Sequence, residues 1–213
     1  MLLSAGLGER MQPLTLTTPK PLLKIKGESL IVCHICALVQ SGIREIIINL
    51  GYRGSQIEET LGNGSQWGAQ LRYSYEDPIL NTGGGIVQAL PLLGPDPFVV
   101  VSSDLYTDFP FNRLPTHPKG LIHLVMVDNP PHHPKGDFAL VDGVLQETGA
   151  PLLNFGGIGV YYPELFEDSK PEPFPLSRLF RKAIRSGFAT GEHYKGVWHN
   201  VGTPEQLQAL ELS

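Results

Sequence analysis

Two cysteines in 213 residues are too few for a disulfide framework, and no apolar run approaches the ~20 residues that cross a bilayer. Cations are in the minority, with 16 Lys and Arg against 21 Asp and Glu and a formal net charge of −5. Nucleic-acid and anionic-membrane partners are therefore not expected, and any phosphate-binding charge must be local. No basic segment followed by an apolar stretch opens the chain, so a cytoplasmic protein is expected. Internal repeats, low-complexity tails and the hexapeptide array of an appended β-helix are all missing.

What is present fits one globular domain over residues 1–213, with 41% hydrophobic and 17% charged residues. Cys33 and Cys36 form a C-x-x-C in "IVCHICALVQ". Leu30, Ile31, Ile35, Leu38 and Val39 follow a helical period there, which favours a packed helix over a redox or zinc pair, since no second C-x-x-C follows.

Strand-like runs "MLLS", "EIIINL" (45–50), "AQLRYSYE" (69–76) and "PFVVVSSD" (97–104) alternate with helical segments. Those segments are 29–41, "GSQIEETLG" and a helix starting after the glycines of "NTGGGIVQALPLL". The alternation predicts a mixed, mostly parallel Rossmann-like α/β sheet. The second half is richer in strands: "LIHLVMVD", a hairpin turning at Asp142-Gly143, and "FGGIGVYY". A helix over "PLSRLFRKAIRSG" buries Leu176, Leu179, Phe180, Ala183 and Ile184, and "GVWHNVGTPEQLQALEL" closes the chain as a strand and a capped helix.

The first strand runs into "LSAGLGERMQPLTLTTPKPLL". A dinucleotide loop needs a third glycine where Met11 stands, and the G-x-x-x-x-G-K-[ST] of a P-loop does not occur. Ser4, Ala5, Gly6 and Gly8 still let backbone N–H groups approach an anion, and Arg10 adds a planar fork of donors. Lys20 lies between Pro19 and Pro21, which restrict its backbone and aim one point charge. A triphosphate suits this set, but a glycine turn with solvated charges would contain the same residues.

The pattern L-x-A-G-x-G-x-R-M-x-P-L-T with P-K-P-L, here Leu3 to Thr15 and Pro19 to Leu22, resembles the opening motif of the sugar-1-phosphate nucleotidyltransferases. The resemblance continues over nearly the whole chain. It implies their nucleotide-diphospho-sugar transferase fold, with a nucleotide-binding half over about 1–110 and a β-rich sugar-binding half over about 111–213. It implies that the loop wraps a nucleoside triphosphate, that Arg10 holds the outer phosphates and that Lys20 contacts the phosphate under attack. Asn81, Thr82, Gly83 and Gly84 in "NTGGGI" are similar to the segment against base and ribose, although a glycine-rich helix start by itself would look the same.

Asp104, at the end of "VVVSSD", matches the family's magnesium ligand. Its partner is expected in "WHNVGTPEQL", where many relatives have aspartate and this chain has Asn200. A neutral amide oxygen should hold magnesium more loosely. His132 and His133 fit a solvated proline-rich loop better than a metal pair. Asp137, Asn154 and Gly157 match the family's sugar contacts. Relatives carry several residues before the equivalent of Leu2, so a short first strand is expected.

Within the family, "NTGGGIVQALPLLG", "NPPHHPKGDFALVDG" and "FGGIGVYYPELF" are most similar to uridylyltransferases acting on N-acetylmuramic acid 1-phosphate in bacterial cell-wall sugar recycling. UTP and that sugar phosphate are the implied substrates, with mannose, glucose or glucosamine 1-phosphate as alternatives. Several uridylyl and thymidylyl relatives have a glutamine before the base-binding segment, where this chain has Ser74-Tyr75-Glu76. A silent nucleotide-sugar-binding regulatory domain is the competing class. Retention of Arg10, Lys20 and Asp104 favours the enzyme. Nothing in the sequence fixes an oligomeric state.

Overall fold

A computed structural model describes residues 1–212. The first half runs β1 (Leu2–Leu3), a loop of short 3-10 turns, a ribbon of β2 (Lys24–Ile25) and β3 (Glu28–Ser29), α1 (Leu30–Gln40) and β4 (Glu45–Leu50). It continues with α2 (Gly54–Leu61), β5 (Gln70–Tyr75), α3 (Asn81–Leu93) and β6 (Phe98–Ser102). The second half adds β7 (Leu105–Thr107), β8 (Ile122–Val127), β9 (Phe138–Val141), β10 (Val144–Gln146) and β11 (Leu152–Tyr161). It closes with α4 (Ser177–Arg185), β12 (Ala189–His193), β13 (Trp198–Asn200) and α5 (Pro204–Glu211).

Nine strands form one sheet in the order β5-β4-β1-β6-β11-β8-β12-β10-β9. The first four pair in parallel, as the strand–helix alternation requires. Beyond β6 the pairing is antiparallel except between β8 and β12. The strand-rich half therefore extends the same sheet, and β9 folds back to pair with β11 as well as β10. Asp142 and Gly143 both have positive φ, 49° and 80°, the backbone a two-residue hairpin turn demands.

Side-chain alternation on β4 separates two cores. Ile46, Ile48 and Leu50 meet Ile31, Ile35 and Leu38 of α1 and Ile57 and Leu61 of α2. Ile47 belongs to the other side, with Ile86 and Ala89 of α3 and Leu179, Phe180, Ala183 and Ile184 of α4. Cys33 and Cys36 are half-buried on α1, their thiols pushed up chiefly by burial and then by the Glu28 carboxylate. Among the described residues no helix is long and apolar enough to cross a membrane.

Although β1 has only two residues, it lies between β4 and β6, with Leu2 opposite Ile48 and Val101. Its exit and the exit of β6 are thus neighbours at the carboxyl edge of the parallel strands, where open α/β sheets bind ligands. The glycine loop and Asp104 begin there.

Candidate active site

The glycine loop is tied down at both ends. Leu3 carbonyl accepts from Ser103 Oγ at 2.6 Å, and Ser4 N–H donates to Asn49 Oδ1 at 2.8 Å. Gly8 turns the chain with φ 66°, and its carbonyl accepts from Met11 N–H and from Thr15 Oγ1. Downstream, Tyr52 and Arg53 donate to the carbonyls of Thr15 and Leu16. Met11, standing where a dinucleotide loop has glycine, is fully buried with Leu23, Ile25, Leu30, Val201 and Leu210. Burial of that side chain contributes about 1.5–3 kcal/mol to holding the loop against α5.

The cleft above the loop has a volume of about 550 Å³, large enough for a nucleotide. Ser4, Ala5, Gly6 and Gly8 line one wall, Asn81 and Thr82 another, and Arg10, Lys20 and Asp104 complete it. Lys20 Nζ is 2.7 Å from Asp104 Oδ2, with the two side chains 12% and 29% exposed. That ion pair joins two residues 84 positions apart in the chain. Asp104 is braced from behind: its carbonyl accepts from Val201 N–H, and the next carbonyl, of Leu105, meets His34 Nε2 at 2.9 Å.

Asn200 lies on β13, opposite Leu105 of β7. Its Oδ1 comes within 3.1 Å of the point where a side chain at Gly202 would begin, and Arg10 Nη2 within 3.5 Å of the same point. Gly202 lines the cleft, whereas Asn200 itself borders a separate cavity with Trp198 and His199. Among the described residues no three His, Cys, Asp or Glu side chains converge. The Asp104 carboxylate lines the cleft, with those of Glu9 and Glu76, and the Asn200 amide oxygen approaches it beside Gly202.

A second chamber of about 300 Å³ shares Leu3, Thr82 and Ser102 with the cleft. It contains Asp137 and Gly157, but the Asp137 carboxylate is already engaged. Its Oδ2 accepts from Phe155 N–H at 2.8 Å and its Oδ1 is 3.2 Å from His133 Nε2. His133 thus has a partner that its place in a proline-rich loop did not suggest.

Three expectations need correction. Gly83 and Gly84 do not line the cleft; they form the first turn of α3, which begins at Asn81 ahead of the glycines. A Cβ on Gly83 would overlap the Phe174 ring, and one on Gly84 the Glu172 carbonyl, so these glycines admit a protein loop. Gly83 N–H is also spent on Phe174 carbonyl. Asn154 lies outside the second chamber, buried, with Nδ2 on the Phe155 carbonyl. Phe155, Gly157 and Tyr161 are the β11 residues that line the chamber, on the strand face opposite Asn154. Ser4 lines the cleft, but its N–H is held by Asn49 and is not free for a phosphate.

The sequence profile of the nucleotidyl transferase family matches residues 1–142. The chain belongs to that family. Among curated proteins, N-acetylmuramate alpha-1-phosphate uridylyltransferase of Neisseria meningitidis serogroup B is 45% identical over 223 residues, covering 99% of this chain and 96% of that protein. Mannose-1-phosphate guanylyltransferase catalytic subunit beta of Drosophila pseudoobscura pseudoobscura is 29% identical over 97% of this chain, which spans 60% of that longer protein. The structure of HddC from Yersinia pseudotuberculosis complexed with GMP-PN superposes with a TM-score of 0.82, covering 99% of this nucleotidyltransferase and 96% of that chain. At 20% identity it carries the fold.

Three features of the site had no clear signal in the sequence. They are the Tyr52–Arg53 clamp, the buried Asn49–Glu76 pair in the cleft wall, and Arg181 in the second chamber. Arg181 could have been found as the cation one turn before Arg185 on the predicted helix, but nothing marked which end of the sheet that helix would cover.

Proposed function

We propose that this nucleotidyltransferase moves a uridylyl group from UTP to N-acetyl-α-muramic acid 1-phosphate, releasing pyrophosphate and forming UDP-N-acetylmuramic acid. One observation carries the substrate: the 45% identity, over nearly the full length of both chains, to the Neisseria uridylyltransferase. The geometry supports the chemistry through a cleft with two cations that opens into a smaller chamber.

A phosphate oxygen of the sugar 1-phosphate attacks the α-phosphorus in line, and the bond from that phosphorus to the pyrophosphate oxygen breaks. The nucleophile is already an anion, so no general base is needed. Catalysis is then positioning and neutralisation of charge. The Arg10 fork takes the outer phosphates, and Lys20 meets the α-phosphate. Free loop amides from Ala5 onward approach the triphosphate. Among the described residues Arg181 is the one cation lining the second chamber; its guanidinium carbon stands 5.3 Å over the Phe138 ring and its Nη1 is a loose 3.6 Å from Glu147. Its donors are available to an anionic sugar.

Magnesium suits the donors at hand. One carboxylate and one amide oxygen, completed by substrate phosphates and water, form a set this hard cation accepts, and Asp104 and Asn200 would hold it. When bound, it screens the repulsion between the two reacting phosphates.

Guanylyl transfer to mannose 1-phosphate is the second reading, favoured by the 29% identical relative. Pyrophosphate release over a grid of nucleoside triphosphates and sugar 1-phosphates separates the two. Release confined to UTP with the muramic sugar, and lost in Asp104→Ala, is expected. Turnover with GTP and mannose 1-phosphate instead would replace the substrate assignment. Absence of turnover with every pair would overturn the enzyme.

A further inference from the structure

Three buried polar groups link parts of the nucleotide cleft that the sequence keeps far apart. Ser4 N–H donates to Asn49 Oδ1 at 2.8 Å, Asn49 Nδ2 donates to Glu76 Oε1 at 2.6 Å, and Leu80 N–H donates to Glu76 Oε2 at 2.8 Å. Ser4, Asn49 and Glu76 all line the cleft and are each less than a tenth exposed, Glu76 at 6%. The relay starts at the head of the glycine loop and ends immediately before α3, whose first residues Asn81 and Thr82 form the opposite wall.

The direction of every bond is fixed by its ends. Backbone N–H groups can only donate, so Asn49 must present its oxygen to Ser4 and its NH₂ to Glu76. Glu76 then faces a donor at both oxygens. A carboxylate meets that demand, whereas a carboxamide would set its own NH₂ against a donor whichever way it turned. Turning Asn49 as well only moves the clash to Ser4. Gly85 makes room for the arrangement, since a Cβ there would overlap Glu76 Oε1.

We propose that Glu76 is a positioning residue for nucleotidyl transfer: through Asn49 it sets the backbone at the head of the triphosphate loop, and through Leu80 it sets the first turn of α3. It acts by holding these two walls at a fixed separation. The inference rests on the cleft being the nucleotide site.

Reversing the middle bond tests this. Glu76→Gln and Asn49→Asp each leave two like groups facing one another in a buried place. In the double variant the new carboxylate at position 49 accepts from Ser4 N–H and from the new carboxamide at position 76, whose oxygen still accepts from Leu80 N–H. Every bond is restored with atom count and charge unchanged. Each single variant should lose about 10- to 100-fold in kcat for pyrophosphate release, with a smaller change in KM for UTP. The double variant should recover most of that loss.

A double variant no better than the worse single variant would overturn the proposal, as would an unimpaired Glu76→Gln. Hydrogen exchange of the Ser4 and Leu80 amides gives a readout independent of turnover: slow in wild type, fast in Glu76→Gln and slow again in the double variant. Should wild type turn over no substrate pair, the exchange pattern alone decides on the relay, and the failure belongs to the functional assignment.

Discussion

His34 of α1 is fully buried beneath the strand end that carries Asp104, with Nε2 2.9 Å from the Leu105 carbonyl. A carbonyl only accepts, so the neutral imidazole carries its proton on Nε2 and donates it there. Burial, opposed by the Leu105 contact and by the charge of Asp104, lowers the pKa of His34 to about 4. In the unfolded chain the same group titrates near about 6.5. Between those values the unfolded chain binds more protons than the native one, so acid favours unfolding. The stabilising contribution is complete above about pH 6.5 and is lost as pH falls through about 4.

The displacement corresponds to roughly 3 kcal/mol, a large part of the ~5–15 kcal/mol that separates folded from unfolded domains. Urea unfolding of wild type and His34→Gln from pH 7 to pH 4 isolates it. The glutamine amide can still donate to the Leu105 carbonyl but does not titrate, and carboxylates common to both proteins cancel in the difference. Wild type should lose roughly 3 kcal/mol relative to the variant across that window. A difference that stays flat, or that grows in favour of wild type as pH falls, would show that His34 is not a buried neutral imidazole.

Arg181→Ala should raise KM for the sugar 1-phosphate by about tenfold while leaving KM for UTP within a factor of about two, because Arg181 lines only the second chamber. Steady-state kinetics with each substrate varied in turn measures both. If Asp104 and Asn200 hold magnesium as proposed, Asn200→Asp adds one negative charge to that pair, so the magnesium concentration for half-maximal activity should drop by about threefold or more. Gly84→Ala forces a methyl group against the Glu172 carbonyl oxygen. It should destabilise by about 1–3 kcal/mol, seen in the urea midpoint, with the surviving folded protein still binding UTP.

The grouping of the glycine loop, Lys20 and Asp104 in one cleft was legible because these residues follow directly from strand ends. β1 and β6 are adjacent parallel strands, so the loop after Leu3 and the carboxylate after Ser103 emerge at the same edge. Lys20 then needs only to reach back from its proline-flanked turn to make the 2.7 Å contact with Asp104. On the sugar side, alternation along β11 puts Phe155, Gly157 and Tyr161 on the chamber face and Asn154 on the opposite one, and the register shift between Phe155 and Gly159 adds two residues and so keeps that parity. Strand period alone therefore excludes Asn154 and Gly157 from facing the same chamber.

The run Gly83-Gly84-Gly85 shows most clearly what a sequence withholds. Three consecutive glycines announce that something comes close, and a nucleotide is the natural candidate beside a phosphate loop. The bodies that come close are the Phe174 ring, the Glu172 carbonyl and the Glu76 carboxylate, two of them supplied by a segment far along the chain. The glycines still shape the cleft, at one remove: they let α3 begin against the Glu76 relay and beneath the Phe174 loop, which fixes where Asn81 and Thr82 stand in the cleft. A small residue at these positions therefore reports a close approach but not its direction, and only the fold decides whether ligand or protein fills the space.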